Sequence, residues 1–139
     1  MKKDSIRMKN GKGDWERKKL TIGMDLGDRT SRYCVLGEEG ELLWEASVAT
    51  TQKGLSEAFS ALPPSRMAIE TGQHSPWVSR HLSGLGHEVI VAHARNVRLI
   101  GESTRKDDRL DAKTLARLAR IDPALLSPVR HRTRKPRRT

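Results

Sequence analysis

A chain of 139 residues with 35% hydrophobic content is the size of one ordinary domain and can bury only a modest core. No apolar run approaches the roughly 18 residues of a membrane helix, and the first residues lack a signal-peptide core, so a soluble chain that stays in the cytoplasm is expected. The net charge of +10 sits at the ends: residues 1–19 hold eight Lys or Arg against three acids, residues 130–139 hold six against none, and the stretch between is close to neutral. The expected organisation is therefore a basic extension over 1–19, a folded body over 20–129 and a basic tail over 130–139. Such tails bind phosphate backbones without sequence preference and release them as salt rises, or are simply solvated ends.

The body opens with alternating apolar and polar residues. Leu20, Ile22, Met24 and Leu26 point one way, and Thr21, Gly23, Asp25 and Gly27 the other, which predicts a strand carrying Asp25 among small residues. Segments around Arg32 to Leu36 and Glu41 to Val48 flank a glycine turn, giving three antiparallel strands. Leu55, Phe59 and Leu62 then recur at helical spacing before Pro63 and Pro64 stop the helix. Arg66 to Glu70 reads as a short strand. Ser75 as N-cap and Pro76 at the first helical position begin a second helix, with Trp77, His81, Leu82 and Leu85 on one face. The apolar run after His87 reads as a parallel strand buried on both faces. A last helix is predicted from about Asp107 until Pro123 ends it. Strands and helices alternating in the second half give an α/β domain with a mixed five-stranded sheet and flanking helices.

Four acids carry the chemical signal: Asp25 on the first strand, Glu70 at the end of a later one, and Asp108 with Asp111 on the last helix. On that helix Asp108, Asp111, Leu115 and Leu118 follow a three, four, three spacing, which puts both aspartates on the stripe facing the core. Charge there is costly unless a cation meets it. Cys34, the only cysteine, excludes an intrachain disulfide and a thiol-rich zinc site and reads as a small strand residue. Hard oxygen donors without thiols favour Mg²⁺ or Mn²⁺. Two such ions about 3.5–4 Å apart can activate a nucleophile and stabilise the leaving oxygen of a phosphodiester. Asp28, Glu38, Glu39, Glu41, Glu45 and Asp107 read as solvated charges.

Three blocks, GMDLGDRTSRYCVL, AIETGQHSPWVSRHL and NVRLIGESTRKDDRLDAKTLARLA, together resemble the N-terminal domain of DEDD-motif insertion-sequence transposases, the group that includes the Piv-type pilin invertases. The resemblance runs over about residues 20–129. It implies an RNase H-like, RuvC-like fold, with Asp25, Glu70, Asp108 and Asp111 as catalytic metal ligands for Mg²⁺ or Mn²⁺. It also implies DNA as substrate and, for intact relatives, a structured guide RNA. Family members bear a nucleophilic serine on a second domain that nothing in this sequence matches, so a truncated half-enzyme is expected.

Between residues 95 and 120 eight basic residues stand against four acids. Arg95, Arg98, Arg105, Lys106, Arg109 and Lys113, with Arg117 and Arg120, are candidates to hold phosphates leading to the acids, or else they solvate a helix face. His74, four residues after Glu70, is within reach of a phosphate or metal, although loop packing is the plainer reading. His81, His87 and His93 lack metal-ligand spacing, and Trp44 and Trp77 read as packing residues. Two other functions fit: a catalytically silent nucleic-acid-binding module acting through the tails, and a stand-alone Holliday-junction resolvase-like nuclease. An actin-like sugar kinase also begins with a D-L-G strand but needs a second phosphate-binding half for which this length has no room. Self-association is expected if Leu115 or Leu118 is left uncovered, and in the silent-module reading the tails hold DNA, RNA or a full-length transposase.

Overall fold

A computed structural model describes residues 19–93 and 111–129. Strands β1 (Thr21–Asp25), β2 (Thr30–Leu36) and β3 (Leu42–Ala49) come first, followed by helix α1 (Gln52–Phe59) and strand β4 (Arg66–Glu70). Helix α2 (Ser75–Gly84), strand β5 (Glu88–Ala92), helix α3 (Ala112–Ile121), a 3-10 turn (Pro123–Leu126) and strand β6 (Pro128–Val129) complete the described chain. The strands form one mixed sheet in the order β3-β2-β1-β4-β5-β6. Neighbours β1, β4 and β5 run parallel, and β2, β3 and β6 are antiparallel to their partners. The sheet thus has six strands rather than the expected five. The extra one, β6, is two residues long and leaves no alternation to read in a sequence.

The two faces of the sheet are covered by different elements. Ile22, Met24, Met67, Ile69 and Val91 share one cluster with Leu55 and Phe59 of α1 and with Val78 and Leu82 of α2. On the other face Ala68, Ile90 and Ala92 meet Leu115 and Ala119 of α3, and Cys34 and Leu36 meet Ala116. Small residues on this second face let α3 lie close. A Cβ on Gly23 would collide with the Ala112 carbonyl and lie 2.6 Å from the Ala116 nitrogen, so the helix backbone rests directly on β1.

Two helix starts differ from the sequence reading. For α2 the N-cap is His74, with no side-chain cap bond. Ser75 instead closes the preceding loop, its Oγ donating to the Gly72 carbonyl at 3.0 Å and accepting from the Gly72 N–H at 3.0 Å. Helix α3 begins at Ala112, one turn later than predicted, because Asp111 in an extended conformation caps it and accepts from the Thr114 N–H at 2.8 Å. Aspartate is a poor interior residue and a strong N-cap for the same reason: its short carboxylate competes for backbone N–H groups. Asp111 is therefore not on the buried stripe, which consists of Leu115, Ala116 and Ala119. Leu115 is fully buried and Leu118 half-buried, so the proposed ground for self-association through them falls.

His87 is buried at the start of β5 and latches the loop after α1. Its Nδ1 accepts from the Ser65 N–H at 3.0 Å, which leaves Nε2–H to donate to the Phe59 carbonyl at 2.9 Å. Cys34 is buried on β2, and desolvation, followed by the charge of Glu45, pushes its thiol above the ordinary value.

Gly23→Ala should destabilise the fold by about 3 kcal/mol, the upper range for overpacking, since the obstacle is helix backbone and not a flexible side chain. Urea denaturation checks this. A raised thiol keeps its proton in the folded state at a pH where the unfolded chain has lost it. Stability from Cys34 is therefore intact below the ordinary thiol value and declines as pH rises through the higher folded value. Urea midpoints followed into the alkaline range should show this decline in the parent and a flatter profile in Cys34→Ala.

Candidate metal and phosphate site

Parallel strands carry ligands at their carboxyl ends, and the two inner strands of this sheet end in acids. The β1–β4 register runs from Thr21 opposite Arg66 to Met24 opposite Ile69, so the next step sets Asp25 beside Glu70. Register partners on neighbouring strands point to the same face. That face is the one covered by α3, because Gly23 and Ala68, two residues earlier on each strand, both lie under that helix. Both acids are half-buried and open into a cavity of about 270 Å³ walled by residues 25–28 and 70–74.

The walls of this cavity are held by short polar contacts. In the β1–β2 turn, Gly27 N–H donates to Ser31 Oγ at 3.2 Å, and Ser31 Oγ lies 2.7 Å from Thr50 Oγ1 at the end of β3. After β4, Thr71 N–H continues the ladder onto the Ala92 carbonyl at 2.9 Å. Asp28 and His74 face each other across the cavity, with Nε2 of His74 3.2 Å from Oδ1 of Asp28. Arg32 stands in register opposite Asp25, with its guanidinium 3.6 Å from Glu45.

Of the four acids predicted from sequence, the structure brings Asp25 and Glu70 together. Asp111 sits at the start of α3, exposed and engaged as a cap, and does not line the cavity. Asp108 lies outside the described residues. Among the described residues no group of three His, Cys, Asp or Glu is placed to hold a metal ion. Asp25 and Glu70 nevertheless fit one: they are two hard oxygen donors from adjacent strands in one water-accessible cavity without a thiol.

Of the candidate phosphate contacts, Arg95, Arg98, Arg105, Lys106 and Arg109 also lie outside the described residues. Lys113, half-buried in the first turn of α3, is near enough to Cys34 for its charge to act on the thiol. Arg120 has a structural task, donating to the Glu38 carbonyl at 3.2 Å over the β2–β3 turn. The sequence reading took Asp28 as a solvated charge and Arg32 only as the start of a strand segment. The D-L-G-D run, which returns a second acid three residues after Asp25, was the available signal for Asp28.

Among known proteins, a family model described as a transposase, of the DEDD type from IS110 elements, matches residues 22–137. No curated protein matches the chain. Among solved structures, the inorganic polyphosphate/ATP-glucomannokinase from Arthrobacter sp. strain KM is similar at 19% identity, with a TM-score of 0.37, over 57% of this chain. The match spans 46% of that kinase. Among the described residues no helix is long and apolar enough to cross a membrane.

Asp111 can be tested as a cap independently of any metal. In chelator, Asp111→Ala should cost about 1 kcal/mol of stability, and Asp111→Asn, which keeps an acceptor for the Thr114 N–H, only a few tenths. Equal losses from both substitutions would show that charge, and not capping, is what Asp111 supplies.

Proposed function

The chain belongs to the IS110-type DEDD transposase family, and from that membership we propose that its body is an RNase H-like, RuvC-like nuclease domain acting on DNA phosphodiesters. The observation that carries this reading is the pairing of Asp25 and Glu70 at adjacent strand ends, on one face of the sheet, over one cavity. In this reading Asp25 and Glu70 hold Mg²⁺ or Mn²⁺, and Asp108 and Asp111 complete the ligand set. A divalent ion bound there supplies charge neutralisation and activation of the attacking oxygen. The protein residues bring the two strand-end carboxylates together on the face of the sheet that α3 covers. DNA is the partner, with Lys113 and the basic residues of segment 94–110 holding its backbone. Strand exchange would further call on the serine-bearing domain of the family, a structured guide RNA and other transposase copies.

A second reading is favoured by one specific observation: Asp111 is committed to the Thr114 N–H at 2.8 Å. A chain in which that commitment persists would bind nucleic acid through its basic ends without cutting it.

Titration of Mg²⁺ and Mn²⁺ into the parent, Asp25→Ala and Glu70→Gln, with thermal stability as readout at fixed pH and salt, separates these readings. The proposed site predicts a rise in melting temperature of several degrees in the parent and little or none in either variant. At about a hundredfold excess over Kd, a single bound ion adds about 2.7 kcal/mol. A parent that does not respond would leave the silent binding module.

A further inference from the structure

The Asp28–His74 contact has an asymmetry that the two carboxylates alone do not explain. Trp77, partly buried against the core, donates its indole N–H to His74 Nδ1 at 3.0 Å. An Nδ1 that accepts carries no proton, so the neutral ring bears its hydrogen on Nε2. Nε2–H is the atom turned to Asp28. This tautomer makes His74 a poor metal ligand, since the nitrogen at the cavity has no free lone pair, and a good donor to an anionic oxygen. The two partners are also held very differently: the side chain of His74 is 25% exposed, whereas that of Asp28 is 83% exposed. The donor is fixed by Trp77 and the walls of the loop. The acceptor is a short side chain in solvent, at a distance typical of a weak bond, and it can swing away at little cost.

We propose that His74 Nε2–H is a phosphate-binding donor of the DNA site, and that the Asp28 carboxylate occupies the place of the phosphate oxygen until a DNA strand displaces it. The inference rests on the proposed DNA reading and goes beyond it, because neither residue belongs to the four-acid set. A carboxylate and a phosphate each present an oxygen anion to an N–H donor with similar geometry, which is what allows one to stand in for the other. His74 follows Glu70 by four residues and lines the same cavity, so a strand held at Nε2 passes directly over the paired acids. Asp28 then acts as a gate against weak anions. Its carboxylate must be outcompeted, and a polyanion held elsewhere along its length does so more readily than a free ion.

The test is a two-by-two set of variants binding a short fluorescein-labelled DNA duplex, in Mg²⁺ buffer with enough salt to screen the basic ends. His74→Phe, which keeps an aromatic ring and removes the donor, should weaken binding about tenfold, the loss of one hydrogen bond to a charged group. Asp28→Asn should tighten binding several-fold in the parent and have almost no effect in the His74→Phe background. Equal tightening in both backgrounds would reduce Asp28 to bulk charge and overturn the inference. Unchanged binding by His74→Phe would reduce the pair to a loop clasp and overturn it too, with the DNA reading left standing. A parent that binds no duplex at any salt would remove the DNA reading and the inference together. Nitrogen-15 shifts of the imidazole in the parent give a second measurement that does not depend on how a variant folds. His74 should show the Nε2–H tautomer, and duplex should move Nε2 while the Trp77 indole N–H stays in place. Movement of the indole with Nε2 unaffected would contradict the proposal.

Discussion

The contact between Gly23 and the backbone of α3 is the constraint on which the rest depends. Parallel strands need cover on both faces, and in this small sheet one face receives two helices while the other receives α3. Among the described residues α3 is the one α-helix on that second face, and the distance between it and the sheet determines whether Cys34, Ala68 and Ala92 are buried. Alanine, cysteine and glycine at these positions permit a close approach that larger residues would prevent. The same approach places the start of α3 above the strand that ends in Asp25. Packing and site geometry therefore have one cause.

The carboxyl ends of β1 and β4 show why this end of the sheet suits chemistry. Two like charges in register on neighbouring strands repel, and water screens them less in a half-buried cavity than in bulk solvent. A folded domain tolerates that arrangement when hydrogen-bond donors, basic side chains or a cation meet the charges, or when the side chains splay into solvent. Asp25 and Glu70 are half-buried and line an accessible cavity at the strand ends. In the proposed reading, an ion at such an accessible cavity exchanges with solvent and is not a structural cation sealed in a core.

Much of this was legible in the sequence because periodicity reports burial. The alternation from Leu20 to Leu26 located β1, Leu55 with Phe59 located α1, and the apolar run after His87 located β5 with its two covered faces. The pairing of Asp25 with Glu70 needs a register between strands 45 residues apart, and only the resemblance to a known family supplied it beforehand. Helix starts were less legible. Asp111 satisfies the helical spacing with Leu115 and Leu118, yet a carboxylate in that position gains more by capping than by extending the helix. The Asp28–His74–Trp77 chain was invisible for another reason: it links residues 46 positions apart through side chains, and spacing carries no record of such contacts.

The basic residues illustrate how charge in a sequence overstates charge available to DNA. Arg66 at the start of β4 donates from Nη1 to the Ala119 carbonyl at 3.1 Å and pairs through Nε with Glu88 at 3.1 Å. Arg120 reaches the Glu38 carbonyl and lies against Gly40, whose positive φ of 87° completes the β2–β3 turn. Both arginines gather at the carboxyl end of α3, where a cation also offsets the helix dipole. They therefore tie the last helix to the strand and the hairpin at the end of the sheet opposite Asp25 and Glu70. Their work is mechanical: by holding the far end of α3, they keep its capped end seated over β1. Lys113, at the opposite end of the helix, stands on the face of the sheet that carries the paired acids.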